Sequence, residues 1–352
     1  MTYRVIQWAT GPQGRDSIRQ VIDHPHFELV GVFVYSPDKY GVDAGTLVNR
    51  PALGVTCSGD RDDVLSVDAD VVLHMPSFAS PHEELDADVV EILRSGKNVV
   101  SLAGYMYPAA WGEAHAEQFD VAGSVGNSTL FGTGLHPGVL AERVATSLSG
   151  VCTTIDELRF TETFDMSQHP EPKMVFESSR FGYPEQDVTI DSPIPGRQYS
   201  RYFGEAVYLI AHNFGLSVKS YQPRVSVSVT PTDLTVAAGI VRAGTVSEQR
   251  WEFSAETDGP RISLCSNWTL KPDRTSDTPG DGWIVELEGN PSLRAEITLA
   301  PTVGLPRSGP TRMDAVRHGI SASAVRAIPD VVAASPGILV PPAPMQRWRQ
   351  TD

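Results

Sequence analysis

Cysteines and long hydrophobic runs are scarce in this sequence of 352 residues. Its three cysteines stand far apart, so the chain has neither a disulfide framework nor a paired-cysteine motif for a metal ion. No apolar run approaches the roughly 20 residues that are needed to span a bilayer. We therefore expect a cytoplasmic protein that holds no metal ion and enters no membrane.

Basic residues are also few: the chain has 28 Lys and Arg residues and 43 Asp and Glu residues, which gives a formal net charge of -15. This balance argues against a strongly negative partner, such as a nucleic acid or an anionic membrane. We expect a small-molecule substrate instead. With 41% hydrophobic residues the chain can bury a large core, and its length suggests two domains.

Three near-continuous apolar runs mark the first half of the chain, at residues 27–36, 69–77 and 96–104. Runs of this kind are typical of parallel strands that are buried on both faces of a sheet. Stretches with helical spacing lie between the strands, beginning with residues 14–23. This alternation predicts a doubly wound parallel sheet, a Rossmann domain, over residues 1–150.

The second half changes to alternating polar and apolar residues, as in PRVSVSVTP at residues 223–231. This pattern is typical of antiparallel strands with one buried face. A helix is predicted at residues 203–217, with Gly215 as its stop signal. We therefore predict an α+β domain with a mostly antiparallel sheet, for substrate binding and dimerisation, over residues 151–308. A final helix and tail at residues 309–352 are expected to pack back on the first domain.

The turn after the first predicted strand reads ATGPQG, with Gly11 and Gly14 spaced as in a dinucleotide-binding loop. Gly11 would let the backbone approach a pyrophosphate, and Gly14 would let the following helix lie against the strand. Ala9 replaces the first glycine of the pattern, which is tolerable if the tight turn keeps a negative φ there. The alternative is an ordinary turn between a strand and a helix. The residues assigned to the phosphate site are Thr10, Gly11, Pro12, Gln13 and Gly14.

Residues at the end of the second predicted strand bear on the choice of cofactor. An acid at this point is usual for NAD, whereas this sequence has Tyr35 followed by Ser36 and Lys39. A hydroxyl and an ammonium group can hold a 2′-phosphate, so we expect NADP rather than NAD. Asp38 weakens this argument, and a solvated polar turn is the alternative. The predicted cofactor site is completed by residues at the ends of the next two strands, Met75, Pro76, Ser77 and Ala103.

Four segments carry a resemblance to a known family: ATGPQG, VYSPDKYGVDAG, GKNVVSLAGYMYP and GTGLHPGVLAERV, in this order. They resemble the dihydrodipicolinate reductase-like group, and more narrowly its branch of 2,4-diaminopentanoate dehydrogenases and native amine dehydrogenases. The resemblance runs over essentially the whole chain. It implies a Rossmann domain, a mixed-sheet domain, a homodimer, and imine reduction or reductive amination with a nicotinamide cofactor.

One departure from that branch affects the chemistry. The branch has a glutamate just after the fourth strand that activates ammonia, whereas this chain has Gly104, Tyr105 and Met106 there. Reduction of a preformed imine needs only a positioned hydride and a proton source. The missing carboxylate therefore favours reduction of an imine, or of another polarised double bond, over ammonia-dependent amination.

Two side chains are candidates for the proton donor, Tyr105 in AGYMYP and His136 in GTGLHPG, where the family tends to have asparagine. The helix predicted after His136 is expected to lower the pKa of the imidazole and keep it neutral. The alternatives are a tyrosine that forms a pocket wall, and a histidine that caps a helix or is packed in the hinge. The predicted substrate pocket is hydrophobic and comprises Met106, Tyr107, Phe164 and Met166.

Three functions stay open on the sequence alone. The leading one is an NADP-dependent oxidoreductase that acts on C=N or C–N bonds of a hydrophobic substrate. The second is a carbonyl reductase or alcohol dehydrogenase that needs no amine. The third is a non-catalytic protein that binds a dinucleotide.

Overall fold

A computed structural model of the chain describes residues 2–77, 80–271, 281–300 and 310–341. The chain forms two compact units. The first joins Met1–Val139 to Arg317–Pro341, and the second is built on Leu140–Val316. The predicted tail beyond residue 341 lies outside the described residues.

The first unit contains a parallel sheet of seven strands. The strands are β1 (Tyr3–Trp8), β2 (Phe27–Phe33), β3 (Cys57–Ser58), β4 (Val71–His74), β5 (Asn98–Ser101), β6 (Thr129–Gly132) and β15 (Gly337–Ile338). Their order across the sheet is β15-β6-β5-β4-β1-β2-β3, and all neighbouring pairs run parallel. This is the strand order of a dinucleotide-binding domain, extended at one edge by β15, and its topological switch point lies between β1 and β4.

The three apolar runs predicted as buried strands form β2, β4 and β5. All four residues of β4 are buried, as expected for a central parallel strand. Each strand is nevertheless shorter than its apolar run, because the run continues into a buried loop. Val34 and Met75 are buried although they lie just past the ends of β2 and β4.

Helices cover both faces of this sheet and create two hydrophobic cores. One core packs Ile18 of the first helix and Ile328 of the last helix against strand residues such as Val5. The other packs Val89 and Phe119, from two further helices, against Ile6 and its neighbours. The helices are α1 (Pro12–Asp23), α2 (Ala44–Leu47), α3 (Arg61–Ser66), α4 (His82–Arg94), α5 (Glu113–Gly126) and α8 (Pro310–Ala333).

The second unit contains a six-stranded mixed sheet and a separate hairpin formed by β9 (Leu234–Val236) and β10 (Gly239–Val241). The other elements are α6 (Thr146–Leu148), β7 (Thr154–Asp165), α7 (Gln198–Phe214), β8 (Val218–Val229), β11 (Val246–Thr257), β12 (Arg261–Thr269), β13 (Gly282–Asn290) and β14 (Leu293–Ile297). The order is β14-β13-β7-β12-β11-β8. The pair β7–β12 runs parallel and the other neighbours run antiparallel.

α7 packs an aromatic side chain against this sheet. The ring centroid of Tyr199 lies 5.0 Å from those of both Trp251 and Trp268. The helix ends at Gly215, whose φ of 73° is a conformation that glycine adopts without a steric cost. The stop signal predicted at Gly215 is therefore confirmed.

The two sheets confirm the predicted fold class, a doubly wound Rossmann domain combined with an α+β domain whose sheet is mostly antiparallel. Among the helices that the structure describes, none is long and apolar enough to cross a membrane.

Candidate functional site

The turn between β1 and α1 has the geometry of a phosphate-binding loop. A Cβ atom added at Gly11 would meet no atom within 4 Å, so the backbone there lies open to a ligand. A Cβ atom at Gly14 would lie only 2.2 Å from the carbonyl oxygen of Ala9. Gly14 therefore allows α1 to lie directly against the end of β1, which is the role that the sequence predicts for it.

Ala9 corrects one expectation. Its φ is +71°, in the left-handed region, so the negative φ on which the tolerance of an alanine depended is not present. An alanine in this conformation costs about 1 kcal/mol or more, because its Cβ crowds the following carbonyl. The conformation directs the Ala9 carbonyl oxygen toward Gly14 and toward the Gln7 amide, which donates to it at 3.0 Å.

Gln7 is a buried polar residue that sequence reasoning missed. Its Nε2 donates to the carbonyl oxygens of Ala9, at 3.0 Å, and of Leu73 on β4, at 3.2 Å. Its Oε1 accepts from the hydroxyl of Ser17 on α1. One amide therefore ties the loop, the helix and the neighbouring strand together. The signal in the sequence was a glutamine inside the apolar strand YRVIQW.

α1 begins at Pro12, two residues earlier than predicted, and Gly11 is its N-cap residue. In the described part of the chain no side chain caps this end of the helix. The N–H groups of a first helical turn have no partner within the helix, and the helix dipole is positive there. An open backbone at Gly11 beside such N–H groups suits a phosphate.

Lys39 joins the end of β2 to the candidate phosphate loop. Its Nζ donates to the hydroxyl oxygen of Thr10 at 3.2 Å and to the Thr10 carbonyl oxygen at 3.4 Å. Ser36 lies half-buried at the start of the short 3-10 turn that carries Lys39, and Asp38 is exposed. The structure thus brings Lys39 to the loop but leaves the role of Ser36 a prediction.

The last helix also reaches the loop. The hydroxyl of Ser321 on α8 donates to the backbone oxygen of Gln13 at 3.2 Å and to its Oε1 at 3.0 Å. Ser321 lies 308 positions after Gln13, so the sequence carried no signal for this contact. Pro12, beside Gln13, is exposed.

The remaining predicted cofactor residues lie after β4 and β5, at the carboxyl edge of the sheet. Met75 is buried beside α1, and its sulfur accepts from the Ser17 hydroxyl at 3.4 Å. Ala103 is also buried, and its N–H donates to the Ser101 hydroxyl at 3.1 Å. In the same region Pro76 is half-buried and Ser77 is exposed.

Tyr105 lies inside a hydrophobic core. Its side chain is 3% exposed, its hydroxyl donates to Oδ1 of Asp86 at 2.8 Å, and its ring meets Phe119 edge-on at 5.3 Å. Its φ of +68° is unusual for a residue other than glycine. This placement favours a tyrosine that forms a wall, and its role as proton donor stays a prediction. Met106 is buried, and burial raises the pKa of the half-buried Tyr107.

His136 follows β6, and the last residue of that strand lies against the Tyr105 segment. A Cβ atom at Gly132, the last residue of β6, would be 2.2 Å from the backbone carbon of Tyr105. Burial lowers the pKa of His136 to about 3, so the imidazole is neutral near pH 7. The predicted direction is confirmed, and the cause is burial of the imidazole.

Phe164 and Met166, the other predicted pocket residues, belong to the second unit. Phe164 is half-buried near the end of β7, and Met166 is buried just after it. On the same strand, the two carboxylate oxygens of Glu162 accept from the indole N–H groups of Trp268 and Trp283 at 2.9 and 2.8 Å. Sequence reasoning did not find this pair of indole donors, because they come from two other strands.

Comparison with known proteins gives the family. No family model matches the chain. The chain is 31% identical over 314 residues to an amine dehydrogenase from Streptomyces virginiae, covering 84% of both chains. Among solved structures, an amine dehydrogenase from Mycobacterium smegmatis has a TM-score of 0.79 at 21% identity, with 98% of both chains covered. GenD2 from gentamicin A biosynthesis, in complex with NAD, has a TM-score of 0.56 at 13% identity, with 95% of this chain and 87% of GenD2 covered.

These comparisons confirm the predicted enzyme class, an oxidoreductase, and the resemblance to amine dehydrogenases. The assignment to a dihydrodipicolinate reductase-like branch stays a prediction. On the identity and coverage of the Streptomyces enzyme, the chain belongs to the amine dehydrogenase family.

Proposed function

We propose that the protein is an NADP-dependent oxidoreductase that acts on the C=N or C–N bond of a hydrophobic substrate, and that it works as a homodimer. The observation that carries the proposal is the loop after β1. Gly11 is open to a ligand, Gly14 admits α1 against Ala9, and the N-terminus of α1 follows directly. These features suit a pyrophosphate, and GenD2, a protein of similar fold, was solved with NAD.

The backbone of Thr10 to Gly14 would hold the pyrophosphate. Lys39 supports the preference for NADP, because its ammonium group already lies 3.2 Å from the Thr10 hydroxyl. A 2′-phosphate at the end of β2 would meet this charge and the Ser36 hydroxyl. The carboxylate that is usual in NAD sites is absent, because Tyr35 occupies its position. When bound, the cofactor supplies or accepts a hydride.

The chemistry at the substrate is proposed from the residues after β5 and β6. Met106 is buried and apolar where the resembling branch has a glutamate, so no carboxylate at that place would keep ammonia neutral. A neutral His136 can orient a substrate or relay a proton, and Tyr105 is the other candidate. We propose reduction of a preformed imine, or the reverse oxidation of an amine, rather than ammonia-dependent amination.

The first experiment is a fluorescence titration of the protein with NADPH and NADH. We expect the wild type to bind NADPH more tightly than NADH, and Gly11→Asp to weaken NADPH binding at least tenfold. Gly11→Asn is the matched control, since it adds nearly the same volume without a negative charge beside the phosphates. If the wild type bound neither cofactor at about 1 mM, where affinity is only about -4 kcal/mol, the proposal would be wrong.

A second titration addresses the choice between NADP and NAD. Lys39→Met is expected to weaken NADPH binding about tenfold while it leaves NADH binding nearly unchanged. Lys219→Met, at an exposed position of β8, is the control. If Lys39→Met weakened the binding of both cofactors equally, Lys39 would contact the pyrophosphate instead. If it weakened neither, Lys39 would not be part of the cofactor site.

Turnover separates the three functions that the sequence leaves open. NADPH oxidation should be faster with cyclic imines than with the corresponding ketones, and ammonia should add little to the rate with ketones. Ketone reduction without any amine would favour a carbonyl reductase. Tight NADPH binding with no oxidation on any of these substrates would favour a non-catalytic protein.

A further inference from the structure

Tyr35 has an exposed ring but an occupied hydroxyl. It is the first exposed side chain after β2, and it is 46% exposed. Its hydroxyl points inward and donates to Oδ2 of Asp88 at 2.5 Å, while it accepts from the indole N–H of Trp8 at 3.2 Å. One part of the side chain therefore faces outward and the other is fixed within the unit.

Asp88, on α4, is 1% exposed, and its carboxylate is the centre of this arrangement. Besides Tyr35 it accepts from the Trp8 indole at 3.1 Å, and it pairs with the guanidinium of Arg61. Nε2 of His74 lies 4.0 Å from Oδ2, but burial lowers the pKa of His74 to about 4, so it carries no charge near pH 7. A buried carboxylate with three donors holds each of them firmly, because losing one would leave part of its charge unbalanced.

Aromatic contacts fix the Tyr35 ring from a second direction. The ring meets Phe33 edge-on, with centroids 5.0 Å apart, and Phe33 stacks on Trp8 at 4.0 Å. The Arg61 guanidinium covers Trp8 and Phe33 at 5.6 and 5.5 Å from their centroids. Tyr35 cannot swing away without breaking both its hydrogen bonds and this packing.

The position of Tyr35 gives this rigidity a use. The end of the second strand is where a dinucleotide-binding domain meets the adenosine ribose of its cofactor. Lys39, four residues later, contacts Thr10 of the phosphate loop, so this end of β2 lies next to the proposed phosphate site. An aromatic face can stack a nucleobase, whatever hydrogen bonds its hydroxyl makes elsewhere.

We infer that the Tyr35 ring is the surface on which the adenosine end of the cofactor rests, and that Asp88 is a positioning residue that holds it there. The inference rests on the proposed function, because it requires a dinucleotide in this site. It adds that a carboxylate on α4, which does not touch the ligand, sets the affinity for the adenosine part.

The test measures dissociation constants of the full-length protein for NADPH and for adenosine 2′,5′-diphosphate, a probe without the nicotinamide. Tyr35→Ala, which removes the ring, is expected to weaken both about tenfold. Tyr35→Phe keeps the ring and loses the hydroxyl that bonds Asp88, and we expect it to weaken binding about threefold. Asp88→Asn is expected to weaken binding by about the same factor as Tyr35→Phe. The double variant Tyr35→Phe/Asp88→Asn is expected to bind no more weakly than either single variant.

This non-additivity of the affinity losses is the decisive readout. If Asp88 were purely structural, Asp88→Asn would lower the melting temperature, and its effect on affinity would not depend on whether Tyr35 has its hydroxyl. Additive losses, or an unchanged affinity in Tyr35→Ala, would overturn the inference while NADPH still bound. If the wild type bound neither NADPH nor the probe, the proposed function itself would fail. Should Asp88→Asn not fold, the comparison of Tyr35→Phe with Tyr35→Ala still decides whether the ring is the contact.

Discussion

At the scale of single residues, Gly14 and Gly11 differ in the reason for which each is a glycine. Gly14→Ala would place a Cβ atom 2.2 Å from the Ala9 carbonyl oxygen, and we expect it to lower the free energy of unfolding by about 1–3 kcal/mol. Gly11→Ala adds its Cβ to open space at a φ of -66°, so a change within about 0.5 kcal/mol is expected. Urea unfolding of the two variants checks this, and equal effects would contradict it.

Ala9 allows a prediction of the opposite sign. Because its φ is +71°, Ala9→Gly should relieve crowding and raise the free energy of unfolding by about 0.5–1 kcal/mol, after the greater freedom of glycine in the unfolded chain is counted. Ala87→Gly, at an exposed position inside α4, is the control and should lower the free energy of unfolding by about 1 kcal/mol. Thermal unfolding of both variants is the measurement, and a loss in Ala9→Gly would be incompatible with a left-handed Ala9.

At the scale of elements, α8 is part of the core of the first unit although it comes at the end of the chain. Ile328 is fully buried in the core that also contains Ile18 of α1. Ile328→Ala should therefore lower the free energy of unfolding by about 2–5 kcal/mol. Arg326→Ala, two positions earlier and exposed, should change it by no more than about 0.5 kcal/mol. Similar small effects at both positions would mean that the helix is not packed on the sheet.

At the scale of the whole molecule, two histidines whose ring nitrogens are buried predict a loss of stability in mild acid. Burial lowers the pKa of His74 to about 4 and that of His136 to about 3, from an ordinary value of 6.5. Below pH 6.5 the unfolded chain therefore binds protons that the folded chain does not, and the free energy of unfolding falls as the pH falls toward these values. Between pH 6.5 and pH 5 each histidine contributes a loss of up to about 2 kcal/mol.

The measurement is the urea midpoint at pH 7.5, 6 and 5, for the wild type and for His74→Gln. The net charge of -15 acts in the opposite sense, because protonation reduces repulsion between acidic groups. The difference between the two proteins therefore carries the test. If the urea midpoint fell with pH as steeply in His74→Gln as in the wild type, His74 would be ruled out as a cause.

Much of the fold follows from patterns within short segments. The apolar runs gave β2, β4 and β5, the glycine spacing gave the loop before α1, and Gly215 gave the end of α7. What these patterns miss are polar contacts between distant residues. Gln7 holds Leu73, and Ser321 holds Gln13, yet neither pair leaves a periodicity or a motif in the sequence.

The sequence by itself determined the element types, the parallel sheet and the position of the glycine turn between β1 and α1, because backbone propensity and hydrophobic period act over a few neighbouring residues. Only the tertiary structure decided how the side chains near that loop are used. It gave Ala9 a positive φ, buried Tyr105 against Asp86, and turned the Tyr35 hydroxyl toward Asp88. The physical reason is that a buried polar group must find its partner wherever the folded chain brings one, and that distance in space has no counterpart in local sequence.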